Sequence, residues 1–161
     1  LALKQLQQPD FIDYLKNLLF ETGAKAEWLE LEVTESEVMT NPDLIIPLLH
    51  QIRELGIGLS IDDFGTGYSS LAYLKRLPVT TLKIDQSFVK DLPDDAEDAA
   101  IVHAIIGLAE SFDIHTIAEG VETEAQKDFL VAAGCHAIQG YYYSKPLIVE
   151  QADAFIRRYQ N

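Results

Sequence analysis

Three short apolar segments of the sequence end in carboxylates. Glu32 closes the first segment, the doublet Asp62-Asp63 closes the second, and Glu119 closes a later one. Carboxylate oxygens are the ligands that Mg²⁺ and Mn²⁺ prefer. Adjacent carboxylates can also serve two ions about 3.5–4 Å apart, an arrangement that clamps a phosphodiester during in-line attack. The pattern therefore points to a divalent-metal centre, provided that the fold brings these positions together.

Other polar side chains occupy or follow the ends of similar segments. Lys83 is suited to orient an attacking water or to neutralise developing charge, and Gln139 ends the last segment. Glu35 and Glu122 each lie three positions beyond a glutamate that closes a segment. We interpret Asp85 differently, as a structural partner for a lysine or a backbone amide.

The elements that must position these side chains are strands alternating with about six helices. Because alternation of this kind is typical of a parallel sheet with helical crossovers, it predicts an α/β fold. The carboxyl ends of parallel strands lie on one face of such a sheet or barrel, so the polar positions should converge. The predicted strands are residues 28–33, 57–61, 80–84, 114–118 and 136–138.

A second interpretation of the carboxylates stays open. Acidic residues fill 26 of the 161 positions, so some strand ends would carry one by chance as solvated loop residues or structural ion pairs. Several carboxylates in one pocket would repel each other, and burying each unpaired costs several kcal/mol. That cost favours a bound cation.

A glycine-containing loop follows the aspartate doublet. It begins with Phe64, Gly65, Thr66 and Gly67 and runs to Ser70. Because Ser70 stands where a dinucleotide fingerprint needs its third glycine, and no Gly-Lys-Ser/Thr follows, neither common phosphate-binding motif is present. We interpret the loop as a lid or ligand loop; an ordinary strand-to-helix turn is the alternative.

Charge and composition restrict the partners. The formal net charge is −14, from 12 Lys and Arg against 26 Asp and Glu. That balance argues against a nucleic-acid polymer and against an anionic membrane surface as partners. The one cysteine, Cys135, fits a reducing compartment, so we expect a cytoplasmic location. Leu1 is no initiator methionine, and we expect the chain to be part of a longer protein.

Five motifs then make the sequence recognisable by their order and spacing. They are Leu31-Glu-Val-Thr-Glu35, Asp62-Asp-Phe-Gly-Thr-Gly-Tyr-Ser-Ser-Leu71, Leu82-Lys-Ile-Asp85, Ala118-Glu-Gly-Val-Glu122 and Gln139-Gly140. Together they resemble the EAL domain family over essentially the whole chain. The resemblance implies a modified (β/α)8 TIM-barrel-like fold. It also implies a bacterial signalling phosphodiesterase that opens cyclic di-GMP to linear pGpG with Mg²⁺ or Mn²⁺.

The resemblance assigns roles to the strand-end residues. Glu32 and Asp62 would hold a first metal ion. Asp62, Asp63 and Glu119 would hold a second ion in the complete domain. Lys83 would stand near the nucleophilic water, so the catalytic set is Lys83, Glu119 and Asp63.

It also assigns supporting roles. Glu35 would anchor the loop from Phe64 to Ser70, which in the family couples dimerisation to metal binding. The resemblance therefore implies a homodimer through the region after Gly65–Gly67. Glu122 and Gln139 would support the metal site from within or beside its ligand shell.

The chain departs from the family at its beginning. The Glu-Ala-Leu motif is absent, together with its metal-binding Glu and a nearby phosphate-binding Arg. The family's early Asn ligand would fall just before Leu1. Ala2 stands where a Ser commonly follows that Asn. Five predicted strands cannot close an eight-strand barrel, whose usual length is about 250 residues. We therefore expect residues 1–161 to be the C-terminal two thirds of an EAL domain. The barrel would be incomplete, lacking the first strand or strands, and weak or inactive unless another chain completes it.

Three functions compete at this point. The leading one is the metal-dependent cyclic di-GMP phosphodiesterase. A non-catalytic cyclic di-GMP sensor or protein-interaction module is the alternative. A lyase of the enolase type also sets carboxylates and a lysine on strand ends, but the Asp62-Asp63 doublet and the glycine loop disfavour it.

Overall fold

The strands form one parallel sheet in which neighbours along the chain are neighbours in space. The structure is a computed structural model that describes residues 3–66 and 71–159. All four strand pairs are parallel, which confirms the predicted α/β fold. In the described residues the strands are β1 (Glu30–Thr34), β2 (Gly58–Phe64), β3 (Thr81–Ile84), β4 (His115–Ala118) and β5 (Ala137–Ile138).

Helices connect each strand to the next, as a parallel sheet requires. None of the described helices is long and apolar enough to cross a membrane. A 3₁₀ turn covers Ala26–Trp28. The helices are α1 (Leu3–Leu6), α2 (Phe11–Thr22), α3 (Glu35–Thr40), α4 (Pro42–Glu54), α5 (Leu71–Leu74), α6 (Gln86–Val89), α7 (Ala96–Ser111), α8 (Glu124–Ala132) and α9 (Val149–Tyr159).

Helix starts follow from capping residues in the sequence. The capping box predicted at Thr123 and Gln126 is present at the start of α8, where each side chain accepts the other's backbone N–H. Asp95 caps α7 by accepting two backbone N–H groups of the first turn. Pro42 opens α4, where its missing N–H would have had no partner within the helix.

The two faces of the sheet have opposite chemistry. Side chains alternate along a strand, and one face of β1 to β4 is apolar and buried in the core with α4 and α7. On the other face the register sets Glu32 beside Ser60 and Ser60 beside Thr81. Asp62 and Lys83 lie two residues further along their strands, on that same polar face. The apolar face is Val33, Leu59, Ile61, Leu82, Ile84 and Ala118.

Three local predictions were wrong. β1 spans Glu30–Thr34 rather than residues 28–33, because Trp28 belongs to the 3₁₀ turn, and Glu32 therefore lies inside the strand. β2 runs to Phe64 rather than ending at residue 61, because buried Phe64 pairs with Ile84 beyond a bulge. Asp62 and Asp63 therefore lie within the strand. Helix α3 was missed, because six residues with buried Val38 as their one apolar core position are too few to show a helical period.

The apolar face makes a testable demand on α4. Replacing Ile45 with alanine should lower the free energy of unfolding by about 2–5 kcal/mol, because a fully buried side chain leaves a cavity. The neighbouring Leu44, which is 45% exposed, is the matched control and should change it by less than about 1 kcal/mol when replaced by alanine. Urea unfolding of both variants measures the difference, and equal losses would contradict this placement of α4.

Candidate active site

Three carboxylates from three different strands meet at one ammonium group. Lys83 Nζ lies 2.9 Å from Glu32 Oε1, 3.1 Å from Asp62 Oδ1 and 2.7 Å from Glu119 Oε1. The structure thus brings together four of the predicted site residues that are far apart in sequence. We call these four side chains the Lys83 cluster.

The parallel register positions the cluster. Glu32 is in β1, Asp62 is near the end of β2, and Lys83 is the third residue of β3. Glu119 directly follows β4, and its backbone N–H donates to the carbonyl of Ile84 at 3.1 Å. Because the strands run in one direction, all four positions reach the carboxyl-terminal edge of the sheet.

Lys83 remains charged although it is only 6% exposed. Burial lowers the pKa of a lysine, but hydrogen bonds to Glu119, Glu32 and Asp62 outweigh it, so the pKa of Lys83 is raised. A lysine with a raised pKa does not accept a proton at neutral pH. In this arrangement Lys83 is a fixed positive charge and a hydrogen-bond donor.

The donor set suits a divalent cation. Three carboxylates and one ammonium carry a net formal charge of −2, and oxygen ligands favour a hard ion such as Mg²⁺. In the part of the chain that the structure describes, no three carboxylate, imidazole or thiol groups are arranged to hold a metal directly. The carboxylates of the Lys83 cluster turn to the ammonium instead. Each carboxylate contacts Lys83 through one of its two oxygens, and the three side chains are between 21% and 49% exposed.

Asp63 lies beside Asp85 rather than within the Lys83 cluster. Its φ of +55° lies in the left-handed region, at the bulge of β2. Burial and the charges of Asp62 and Asp85 raise the pKa of the Asp63 carboxyl above its ordinary value. Asp85 caps α6 by accepting the backbone N–H of Ser87 at 2.9 Å and the hydroxyl of the same residue. The structure therefore shows Asp85 bound to a backbone amide.

Glu35 connects α3 to the loop after β2. It is 1% exposed, and its Oε2 accepts the backbone N–H of Gly65 at 3.0 Å. Its Oε1 is buried without a hydrogen-bond partner among the described residues. Gly65 has a φ of +97°, and an added Cβ would lie 3.1 Å from the Phe88 ring.

Thr66 donates its hydroxyl to the carbonyl of Asp63 at 2.8 Å. Gly67 and the rest of the predicted lid to Ser70 lie outside the described residues.

Glu122 and Gln139 line a cavity of about 270 Å³ together with Glu119. Gln86 and Tyr141 complete its wall, and Gln86 was missed from the sequence. Its position directly after the Asp85 cap, at the start of a helix on the strand-end face, was the available signal. Gly140 makes the wall possible, since an added Cβ would lie 2.1 Å from the carbonyl oxygen of Val121.

Comparison with known proteins then decides the family. The family model for the EAL domain matches residues 1–146. The chain belongs to the EAL domain family. It is 48% identical over 155 residues to the cyclic di-GMP phosphodiesterase NbdA of Pseudomonas aeruginosa. The matched region covers 96% of the chain and 20% of NbdA. The chain is 46% identical over 151 residues to the bifunctional diguanylate cyclase/cyclic di-GMP phosphodiesterase MucR of the same species, covering 94% of the chain and 22% of that protein. The chain thus spans about a fifth of the length of these relatives.

Solved EAL structures confirm the fold. The PaMucR phosphodiesterase in complex with c-di-GMP superposes with a TM-score of 0.90 at 45% identity, covering 94% of this chain and 62% of that one. The EAL domain of Mycobacterium smegmatis DcpA superposes with a TM-score of 0.91 at 38% identity, covering 98% and 71%. A manganese/cy-diGMP complex of Klebsiella pneumoniae BlrP1 has a TM-score of 0.81 at 34% identity, covering 88% and 36%. The five parallel strands of this EAL chain are part of that TIM-barrel fold, as the sequence predicted.

Glu35 allows the connection to the loop to be tested. Replacing Glu35 with alanine removes the acceptor of the Gly65 N–H, and leaving a buried donor unpaired costs about 1–3 kcal/mol. Amide hydrogen exchange at Gly65, followed by NMR, should become faster. Ser36→Ala, an exposed neighbour in α3, is the control and should leave that rate unchanged. An unchanged Gly65 rate in the Glu35 variant would refute the anchoring role.

The raised pKa of Asp63 predicts that the stability of the folded protein depends on pH. Because the folded pKa is raised above 3.8, ionising Asp63 destabilises the metal-free fold as pH rises from that value through the folded pKa. Asp63→Asn should therefore raise the melting temperature in EDTA at neutral pH, and asparagine also tolerates the left-handed φ. The gain should shrink as pH falls towards 3.8. Asp153→Asn, an equal charge change on exposed α9, should give no such profile; a gain independent of pH would argue against the cause.

Proposed function

We propose that this EAL protein hydrolyses cyclic di-GMP to linear pGpG, using Mg²⁺ or Mn²⁺, with two ions in the complete domain. The observation that carries the proposal is the Lys83 cluster, which sets acidic oxygens and one fixed cation at the carboxyl-terminal edge of the sheet. The phosphodiesterase names of the relatives and their c-di-GMP and manganese complexes support the same reaction.

The carboxylates and the lysine of the site would have different roles in this reaction. Glu32, Asp62 and Glu119 would hold the ions together with Asp63. Such ions, when bound, lower the pKa of a water and stabilise charge on phosphoryl oxygens. Lys83 would keep its proton and orient the attacking water by donating hydrogen bonds to it, since its raised pKa prevents it from acting as the base. Asp63, which follows Asp62 in β2, would accept the proton of the water.

Charge also explains why the substrate should need a metal. Cyclic di-GMP carries two anionic phosphodiesters, while the chain carries −14 and the Lys83 cluster alone carries −2. Cation binding must therefore come before, or together with, the dinucleotide. We expect binding of cyclic di-GMP to disappear in EDTA.

Two further expectations belong to this proposal. Residues 1–161 would form the C-terminal two thirds of the EAL domain. A homodimer would form through the region after Gly65–Gly67, which begins outside the described residues.

A non-catalytic sensor or protein-interaction module is the second candidate. The observation that favours it is that Lys83 Nζ contacts Glu32, Asp62 and Glu119 together, so ion pairs within the chain already link these three side chains. Such a protein would bind cyclic di-GMP, or a protein partner, and leave the dinucleotide intact.

The deciding experiment incubates the complete EAL domain, extended beyond Leu1 at the N-terminus, with cyclic di-GMP and Mn²⁺ and resolves the nucleotides by chromatography. We expect pGpG to form, and Lys83→Ala to reduce kcat by at least about 10²-fold because the group near the nucleophile is lost. Lys16→Ala, an exposed lysine paired with Asp13 on α2, is the control and should keep full activity.

The outcomes separate the candidates. Binding without pGpG would support the sensor. Neither binding nor turnover would refute the proposal, and full activity of the Lys83 variant would remove Lys83 from the mechanism.

A further inference from the structure

Gln126 is a buried side chain whose amide is hydrogen-bonded at both ends. It is 5% exposed, and its Oε1 accepts the backbone N–H of Glu122 at 2.8 Å and of Thr123 at 3.0 Å. Its Nε2 donates to the backbone carbonyl of Lys90 at 2.9 Å. Only one orientation of the amide satisfies all three groups, because a flipped amide would set donor against donor.

Helix capping accounts for part of this arrangement only. A capping box needs the reciprocal bonds between Gln126 and Thr123. The bonds to Glu122 and Lys90 are additional. Lys90 precedes Gln126 by 36 positions and follows the last residue of α6, so this bond joins two separate segments.

One of the two segments carries a proposed catalytic group, and the other follows the strand that carries Lys83. Residues 119–123, which we call the β4 loop, begin with Glu119. Helix α6 begins three residues after Lys83. The β4 loop lies along α6: an added Cβ on Gly120, whose φ is +69°, would lie 2.6 Å from Gln86 Cβ. Gln126 is hydrogen-bonded both to Glu122 and Thr123, at the C-terminal end of the β4 loop, and to Lys90, directly after α6.

We propose that Gln126 is a positioning residue that fixes Glu119 relative to Lys83 by holding the β4 loop against α6. The contact it maintains is the 2.7 Å approach of Glu119 Oε1 to Lys83 Nζ. The consequence for metal binding and turnover rests on the proposed phosphodiesterase function; the consequence for the β4 loop does not. A displacement of about 1 Å at a reacting group can reduce a rate about 10²-fold.

Two variants separate positioning from capping. Gln126→Glu keeps an acceptor for both N–H groups, and glutamate is a regular partner in capping boxes. It sets a carboxylate oxygen against the Lys90 carbonyl, however, and so breaks the bond to α6. Thr123→Ala does the reverse, because it removes the capping hydroxyl and leaves the Gln126 amide in place.

The test compares both variants with the unmodified protein. Gln126→Glu should reduce kcat and Mn²⁺ affinity by about 10- to 100-fold, as loss of supporting hydrogen bonds around metal ligands does. KM should stay within about twofold, and hydrogen exchange of the Glu119 amide should be faster, because the β4 loop is released. Thr123→Ala should lower the melting temperature as a lost cap does while leaving kcat and Glu119 exchange close to normal.

Each result decides the question. Equal losses of kcat in both variants, or unchanged Glu119 exchange in Gln126→Glu, would overturn the positioning role. If the unmodified protein forms no pGpG while Glu119 exchange responds to Gln126→Glu alone, the proposed function fails and the positioning role stands. If pGpG forms equally fast in both proteins, the positioning role fails and the function stands.

Discussion

The structure depends on one interaction at the edge of the sheet, in which the positive charge of Lys83 compensates the negative charge of three carboxylates. Glu32, Asp62 and Glu119 converge because parallel strands end on the same side, and three carboxylates that close would repel each other and destabilise the fold if no cation lay between them. The buried ammonium of Lys83 supplies the compensation. It leaves a net formal charge of −2 on the Lys83 cluster, and a net negative charge is what a divalent cation would complement.

The alternation of side chains along each strand allows stability and chemistry to coexist. Val33, Ile61 and Ile84 face the helices and form the core, while the intervening residues face the polar side. Asp63 departs from this division. Its left-handed backbone and raised pKa are unfavourable for the metal-free fold, and such strain is typical of positions retained for function.

The strand-end placement of Glu32, Asp62, Lys83 and Glu119 could be predicted, because strand order and direction follow from the alternation of helices and strands. The direction of Asp63 could not be predicted. It depends on a positive φ and on a shift of register between Ile61 and Phe64, and strand pairing across the sheet defines that register. The capping box at α8 was visible in the sequence, but its third bond, to Lys90, joins segments whose proximity only the fold creates.

Residues of helix first turns hold two of the loops that follow strands. Glu35, the first residue of α3, binds Gly65 after β2, and Gln126, in the first turn of α8, binds the β4 loop to the end of α6. These contacts join neighbouring crossover units rather than residues of one unit. Backbone hydrogen bonds such as that from Glu119 to Ile84 hold the start of the β4 loop, and side-chain bonds from Gln126 hold its far end. The geometry of the Lys83 cluster should therefore depend on residues outside it, among them Gln126.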